Sequence, residues 1–142
     1  MATKRCNSEV VWQFHTRNLN VRLRITPEEM DPAACFCEQD DIDAVRSGAV
    51  HWFVAEVTVE FRDGTELGND SLGGCAYRTI EGFYTAHRDP DPLNRNSSVM
   101  RAIRGERTIV SHYFPDMIRT AMSEARKRLA ELQRIPLRRC VA

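Results

Sequence analysis

"HWFVAEVTVEFRDGTELGNDSLGGCAY", residues 51–77, decides the fold class of this chain. Its first part, 51–61, is β-branched and aromatic and alternates strictly. Phe53, Ala55, Val57, Val59 and Phe61 fall on one face, and Trp52, Val54, Glu56, Thr58 and Glu60 on the other. That is the period-two pattern of a strand with one apolar face. "RDG" (62–64) is a turn signal, so "TELG" starts a returning strand, and "CAYRT" completes it after an interruption at Gly73–Gly74. Two glycines inside a strand pattern mark a bulge, a bend, or a close approach of other backbone. On this reading Asp70, Leu72, Gly73, Gly74, Cys75 and Tyr77 form a structural corner. The glycines bend the chain, Leu72 and Cys75 pack inward, and Tyr77 leads back into the sheet.

Working outward, "LNVRLRI" (19–25) alternates Leu19, Val21, Leu23 and Ile25 with Asn20, Arg22 and Arg24, a half-buried strand whose other face is basic. "VVWQF" (10–14) is a strand leading into it, with "HTRN" as a turn or bulge between them. "TPEEMDPAACF" is turn-rich. "EQDDIDAVRSG" then reads as a short acidic helix or turn anchored by Ile42 and Val45, with Gly48 as C-cap. After the hairpin, "TIEGFYTAH" is a short helix, "RDPDPLNRNSS" a loop, and "SSVMRAIRG" a capped helical turn ending at Gly105. The clearest helix comes last. Pro115 and Asp116 suit its first turn, and Ile118, Ala121, Met122, Ala125, Leu129 and Leu132 make a stripe at three- and four-residue spacing. The expectation is a single α+β domain over residues 1–142: an antiparallel sheet with the long C-terminal amphipathic helix on one face, plus short helices. A flexible N-terminus of about eight residues (1–8) and a loosely held tail over 136–142 complete it.

Composition narrows the function classes. A chain of 142 residues can bury one sizeable core without disulfides or metals. No apolar run approaches the roughly 20 residues of a membrane span, and "MATKRCNSEVVW" lacks a signal-peptide stretch, so an intracellular protein is expected. The five cysteines, Cys6, Cys35, Cys37, Cys75 and Cys140, are odd in number and irregularly spaced, which suits a reducing compartment. Cys35 and Cys37 have one residue between them where zinc knuckles have two to four, so neither metal nor cofactor is expected. The 20 basic and 20 acidic residues cancel but are unevenly placed: residues 1–24 are net +4, 25–71 net −10, and 72–142 net +6. Such blocks can build faces that steer partners of opposite sign, or can neutralise each other once folded.

Three function classes follow. Glu28, Glu29, Asp31, Glu38, Asp40, Asp41 and Asp43 fall within sixteen residues of mostly loop sequence, and a loop-borne acidic patch can occupy a basic groove on another protein. Arg22 and Arg24 offer a basic strand face to the same partner. Alternatively, Arg101, Arg104 and Arg107 could hold a nucleotide signal, with stacking from Phe83, Tyr84 or Tyr113, because arginine's planar fork suits phosphate. The outsider is an enzyme using Cys75, which would need a base such as His51, His87 or His112. "LGNDSLGG" lacks the GK[ST] ending of a phosphate loop and there is no HExxH, so a non-enzymatic role is expected. Overall neutrality argues against direct nucleic-acid binding, and a homodimer is an open alternative.

"NDSLGGCAY" and "SHYFPDMIRTAM" together resemble a pattern of small phage and plasmid accessory proteins: Asp-x-Leu-Gly-Gly-Cys-x-Tyr, then an aromatic pair before Asp-Met and an amphipathic helix. Asp70, Leu72, Gly73, Gly74, Cys75 and Tyr77 carry the first part, and Tyr113, Phe114, Asp116 and Met117 the second; residues 87–110 look like an insertion. The resemblance implies a mobile-element origin, a bacterial cytoplasmic setting and no enzyme activity. By association of origin it also implies a counter-defence role: binding a host complex of the CRISPR effector kind and occupying its surface.

Overall fold

The structure, a computed structural model, describes residues 8–84, 97–106 and 113–134. Four strands follow the alternating segments: β1 (Glu9–His15), β2 (Leu19–Pro27), β3 (His51–Phe61) and β4 (Glu66–Tyr77). They pair antiparallel in the order β1-β2-β3-β4. The link from β2 to β3 carries a 3-10 turn over Pro32–Ala34 and helix α1 (Gln39–Arg46). After β4 come α2 (Glu81–Tyr84), α3 (Ser98–Ile103) and α4 (Tyr113–Arg134). The domain is α+β as expected, with α4 packed across β4 and β3. The segments 1–7 and 136–142, His87 and His112, and residues 88–96 of the loop lie outside the described residues.

Alternation puts the apolar face of the sheet under the helix. Val21, Leu23, Ile25, Phe53, Ala55, Val57 and Val59 are buried against Ile118, Ala121, Met122 and Ala125. α4 begins two residues earlier than Pro115, so Phe114 and Met117 join the core. Leu129 packs at the margin of the core, while Leu132, part of the predicted stripe, is 41% exposed.

Two bulges shape β4. Phe53 pairs with Cys75 and Ala55 with Leu72, so Gly73 and Gly74 together oppose Val54, and Gly74 adopts φ +67°. The double glycine is thus a bulge, as its place in the strand pattern predicts. The second was not legible: Val59 pairs with Gly68 and Glu60 with Glu66, leaving Leu67 as the extra residue. That extra residue turns Leu67 and Gly68 inward in succession, and both are buried. At Gly68 the helix touches the strand backbone to backbone: a Cβ there would strike Ala121 O and stand 2.8 Å from Ala125 N.

Where α4 begins, rings fill the space beneath it. Trp12 meets Phe114 edge-on at 5.0 Å between ring centroids, and Phe83 stands edge-on to both Phe53 (5.7 Å) and Tyr77 (5.3 Å). α3 is tied to α4 by Arg126, whose Nη2 donates to Ile103 O at 2.9 Å.

The other face of the sheet is polar. Arg22 and Arg24 make its β2 row basic as the sequence suggests, but β3 supplies the counter-charges. Arg22 Nη1 lies 2.6 Å from Glu60 Oε1, and Arg24 is registered against Glu56. Thr58, 2% exposed, keeps a buried hydroxyl with no hydrogen-bond partner among the described residues.

Two stability outcomes follow. Gly68→Ala should lower the unfolding free energy by about 3 kcal/mol in urea titrations, the upper end of overpacking costs, because backbone rather than a flexible side chain must yield. Thr58→Val should raise it by about 1 kcal/mol, since it keeps the β-branched shape and removes an unpaired buried hydroxyl.

Candidate functional site

The bulge at Gly73–Gly74 organises the most elaborate surface of the molecule. A left-handed glycine pulls its amide out of the ladder, and the Glu28 carboxylate accepts it: Gly74 N donates to Glu28 Oε2 at 2.9 Å. The same carboxylate accepts from Met30 N at 3.1 Å, while Glu28 N donates to Trp52 O at 3.1 Å. Trp52 Nε1 donates to Met30 O at 2.9 Å, and the Phe36 ring lies 5.5 Å from the Trp52 ring. The connection after β2 is therefore stapled across the ends of β3 and β4. Beside the staple, a cleft of about 310 Å³ opens along β4, lined by Phe36, Leu72, Gly74, Cys75, Tyr77 and Tyr113. Tyr113, 64% exposed, stands at its rim.

Cys75 lies in the wall of this cleft as a structural sulfur. Its residue is 4% exposed and its Sγ donates to Leu72 O at 3.4 Å. Burial pushes the thiol up to about 11, and the Glu28 charge nearby adds to the rise. A thiol so held is protonated at neutral pH, the opposite of an activated nucleophile. Of the described histidines, His15 bonds Asn20 at the far end of the β1–β2 hairpin, and His51 is exposed at the start of β3, opposite Tyr77.

The acidic residues divide. Glu28 is half-buried and belongs to the staple, so it is a structural acid rather than a free contact. Glu29, Asp31, Glu38, Asp40, Asp41 and Asp43 are exposed on a lobe in which α1 buries only Ile42. Asp31 caps the 3-10 turn. The Ala33 amide chiefly holds its carboxyl below the usual range, helped by Arg46 at 3.3 Å. Asp40 and Asp41 occupy the first turn of α1, where the helix dipole favours carboxylates, and Asp43 accepts from Gln39 Nε2 at 2.8 Å.

The basic candidates fare differently. Arg101 and Arg104 both reach Glu106, each at 3.4 Å, and Arg104 above all holds that carboxyl below its ordinary range. The pair thus has a counter-ion built beside it, and Arg107 lies outside the described residues. Phe83 is buried among core rings and is no platform for a nucleobase, while Tyr84 leans on Phe114. The predicted nucleotide constellation is not assembled among the described residues. Met30, Phe36 and Trp52 were missed by sequence reading; the signal was an aromatic residue stranded in the acidic loop "ACFCE".

Cys35 and Cys37 are exposed, and no group of three His, Cys, Asp or Glu comes together among the described residues to hold a metal. Nor is any described helix long and apolar enough to cross a membrane. No protein-family model, curated protein or solved structure matches the chain.

The buried thiol makes a pH-dependent prediction. Unfolding lets Cys75 ionise near 9.0 instead of about 11, so its contribution is intact below pH 9 and is lost as pH rises toward 11. Under reducing conditions the unfolding free energy should fall over that window by about 2–3 kcal/mol more in the parent protein than in Cys75→Ala. In native protein at pH 8, iodoacetamide should modify Cys35 and Cys37 and spare Cys75 until urea unfolds the chain.

Proposed function

We propose that this protein is a non-enzymatic binding protein that occupies a basic surface on a protein partner through the acidic lobe formed by residues 28–47. One observation carries the reading. Six carboxylates of this lobe are exposed while its single basic residue, Arg46, is already engaged with Asp31. Elsewhere among the described residues, basic candidates have acids beside them: Arg22 has Glu60, and Arg101 and Arg104 share Glu106. An unbalanced patch on a projecting lobe speeds encounter with an oppositely charged surface and fixes orientation on it. The protonated Cys75 supports a role without covalent catalysis.

The resemblance of residues 70–77 and 113–117 to phage and plasmid accessory proteins supports a finer version. The partner is then a bacterial defence complex of the CRISPR effector kind, whose nucleic-acid channel offers a basic groove. In that version the lobe stands in for the phosphate backbone and blocks the channel.

The test is association with purified effector complexes at graded salt. The expected result is a Kd that rises steeply with ionic strength and is weakened at least about tenfold at low salt by Asp40→Lys combined with Asp41→Lys. Those reversals also forfeit a favourable helix-dipole position, roughly 0.5 kcal/mol each, so thermal unfolding of the variant is followed alongside. An affinity indifferent to both salt and charge reversal would remove the acidic lobe from the contact.

A further inference from the structure

β4 is an outermost strand, twelve residues long and paired with β3 on one side; among the described residues no strand pairs with its other side. Alternate residues of such a strand present N–H and C=O groups outward, which is a template for another strand. Edges of this length are commonly blunted by lysines, prolines or bulges. β4 contains neither lysine nor proline, and its Gly73–Gly74 bulge hands the Gly74 amide to Glu28. A second bulge at Leu67 distorts the start of the strand, which leaves the stretch between the two bulges, residues 69–72, as the part of the edge open among the described residues.

Charge selects what can lie there. Asp70 is half-buried on this stretch, and its carboxyl is held above the ordinary range by burial and by Glu124 of α4 nearby. Two like charges crowded at an edge favour an incoming cation. At the other end of the stretch, the cleft between Phe36 and Tyr113 offers apolar walls, with Tyr113 already exposed at the rim. Seen along β4, the surface is acidic and then apolar.

The geometry points to the outer edge of β4 as a strand-addition site for an extended basic segment of a protein partner. That segment pairs its main chain with residues 69–72, sets lysine or arginine side chains beside Asp70 and Glu124, and puts one large apolar side chain into the cleft beside Phe36, Leu72, Tyr77 and Tyr113. The inference rests on the proposed protein-binding role and names the partner's chemistry. The acidic lobe then steers the encounter, and the β4 edge supplies register.

The probe is a synthetic eleven-residue peptide alternating lysine or arginine with valine, with leucine near one end. It is titrated at low salt into isotope-labelled protein and followed by amide chemical shifts. Binding should shift residues 66–77. Methylating the peptide amides along one edge should weaken it at least about tenfold, and methylating those along the other should not, because only one edge of an added strand meets the sheet. Tyr113→Ala, and separately Asp70→Asn with Glu124→Gln, should each weaken it about fivefold or more, with thermal unfolding confirming the fold. A peptide that binds with shifts confined to residues 38–46, indifferent to methylation of either edge, would overturn the strand-addition site and leave the acidic-lobe reading standing. Absence of binding by any basic peptide at low salt, including a helical one of the same charge, would overturn both.

Discussion

The backbone of α4 rests on the backbone of β4 at Gly68, and much of the molecule is arranged around that contact. A helix can come this close only where neither element has side-chain bulk. The strand therefore presents a glycine, and the helix presents Ala121 and Ala125. The Leu67 bulge makes the approach compatible with a filled core by turning two successive residues inward. From there α4 runs back to the rings of Trp12, Phe83 and Phe114, and its first residue, Tyr113, emerges at the rim of the β4 cleft. A packing constraint at one point of the helix thereby sets the position of an exposed aromatic side chain eight residues earlier in sequence than Ala121.

A second constraint ties the acidic lobe to the sheet. Gly74 can donate its amide sideways because it is left-handed, and Glu28 accepts it while also bonding the Met30 amide. The long connection between β2 and β3 is thereby anchored at its start, and Trp52 secures it again through Met30 O. What projects beyond these anchors is free to carry carboxylates that would be costly closer to the core. The staple also explains why a cysteine sits at the bulge. A small, weakly polar side chain fits under the loop, and burial, with a smaller contribution from the Glu28 charge, keeps the thiol protonated.

On the polar sheet face, charge blocks that stand apart in sequence meet in space. Arg22 belongs to the basic first block and Glu60 to the acidic middle block, and antiparallel pairing of β2 with β3 brings them together. Arg101 and Arg104 find Glu106 within their own basic block. The lobe of 28–47 keeps a strong imbalance, because it leaves the sheet between two strands and its helix buries only Ile42.

The period of the apolar residues determined the four strands, the long helix and the antiparallel hairpin of β3 and β4, and the paired glycines marked a bulge, a bend or a close approach at Gly73–Gly74. Each of these follows from local stereochemistry: side-chain alternation, helical spacing, and glycine's access to positive φ. The exposure of Asp40 and Asp41 was likewise legible from a short acidic helix with only two apolar anchors, Ile42 and Val45, of which the fold buries Ile42 alone. Only the tertiary structure decided that Gly68 rather than Gly74 carries the helix contact, that Glu28 is a structural ligand of an amide, that Phe83 is core, and that Arg22 is neutralised. The reason is common to all four: each depends on which residues far apart in sequence share a contact. Periodicity assigns a side chain to a face but is silent about which helix, loop or counter-charge meets that face, and that is settled only when the strands register and the helix docks.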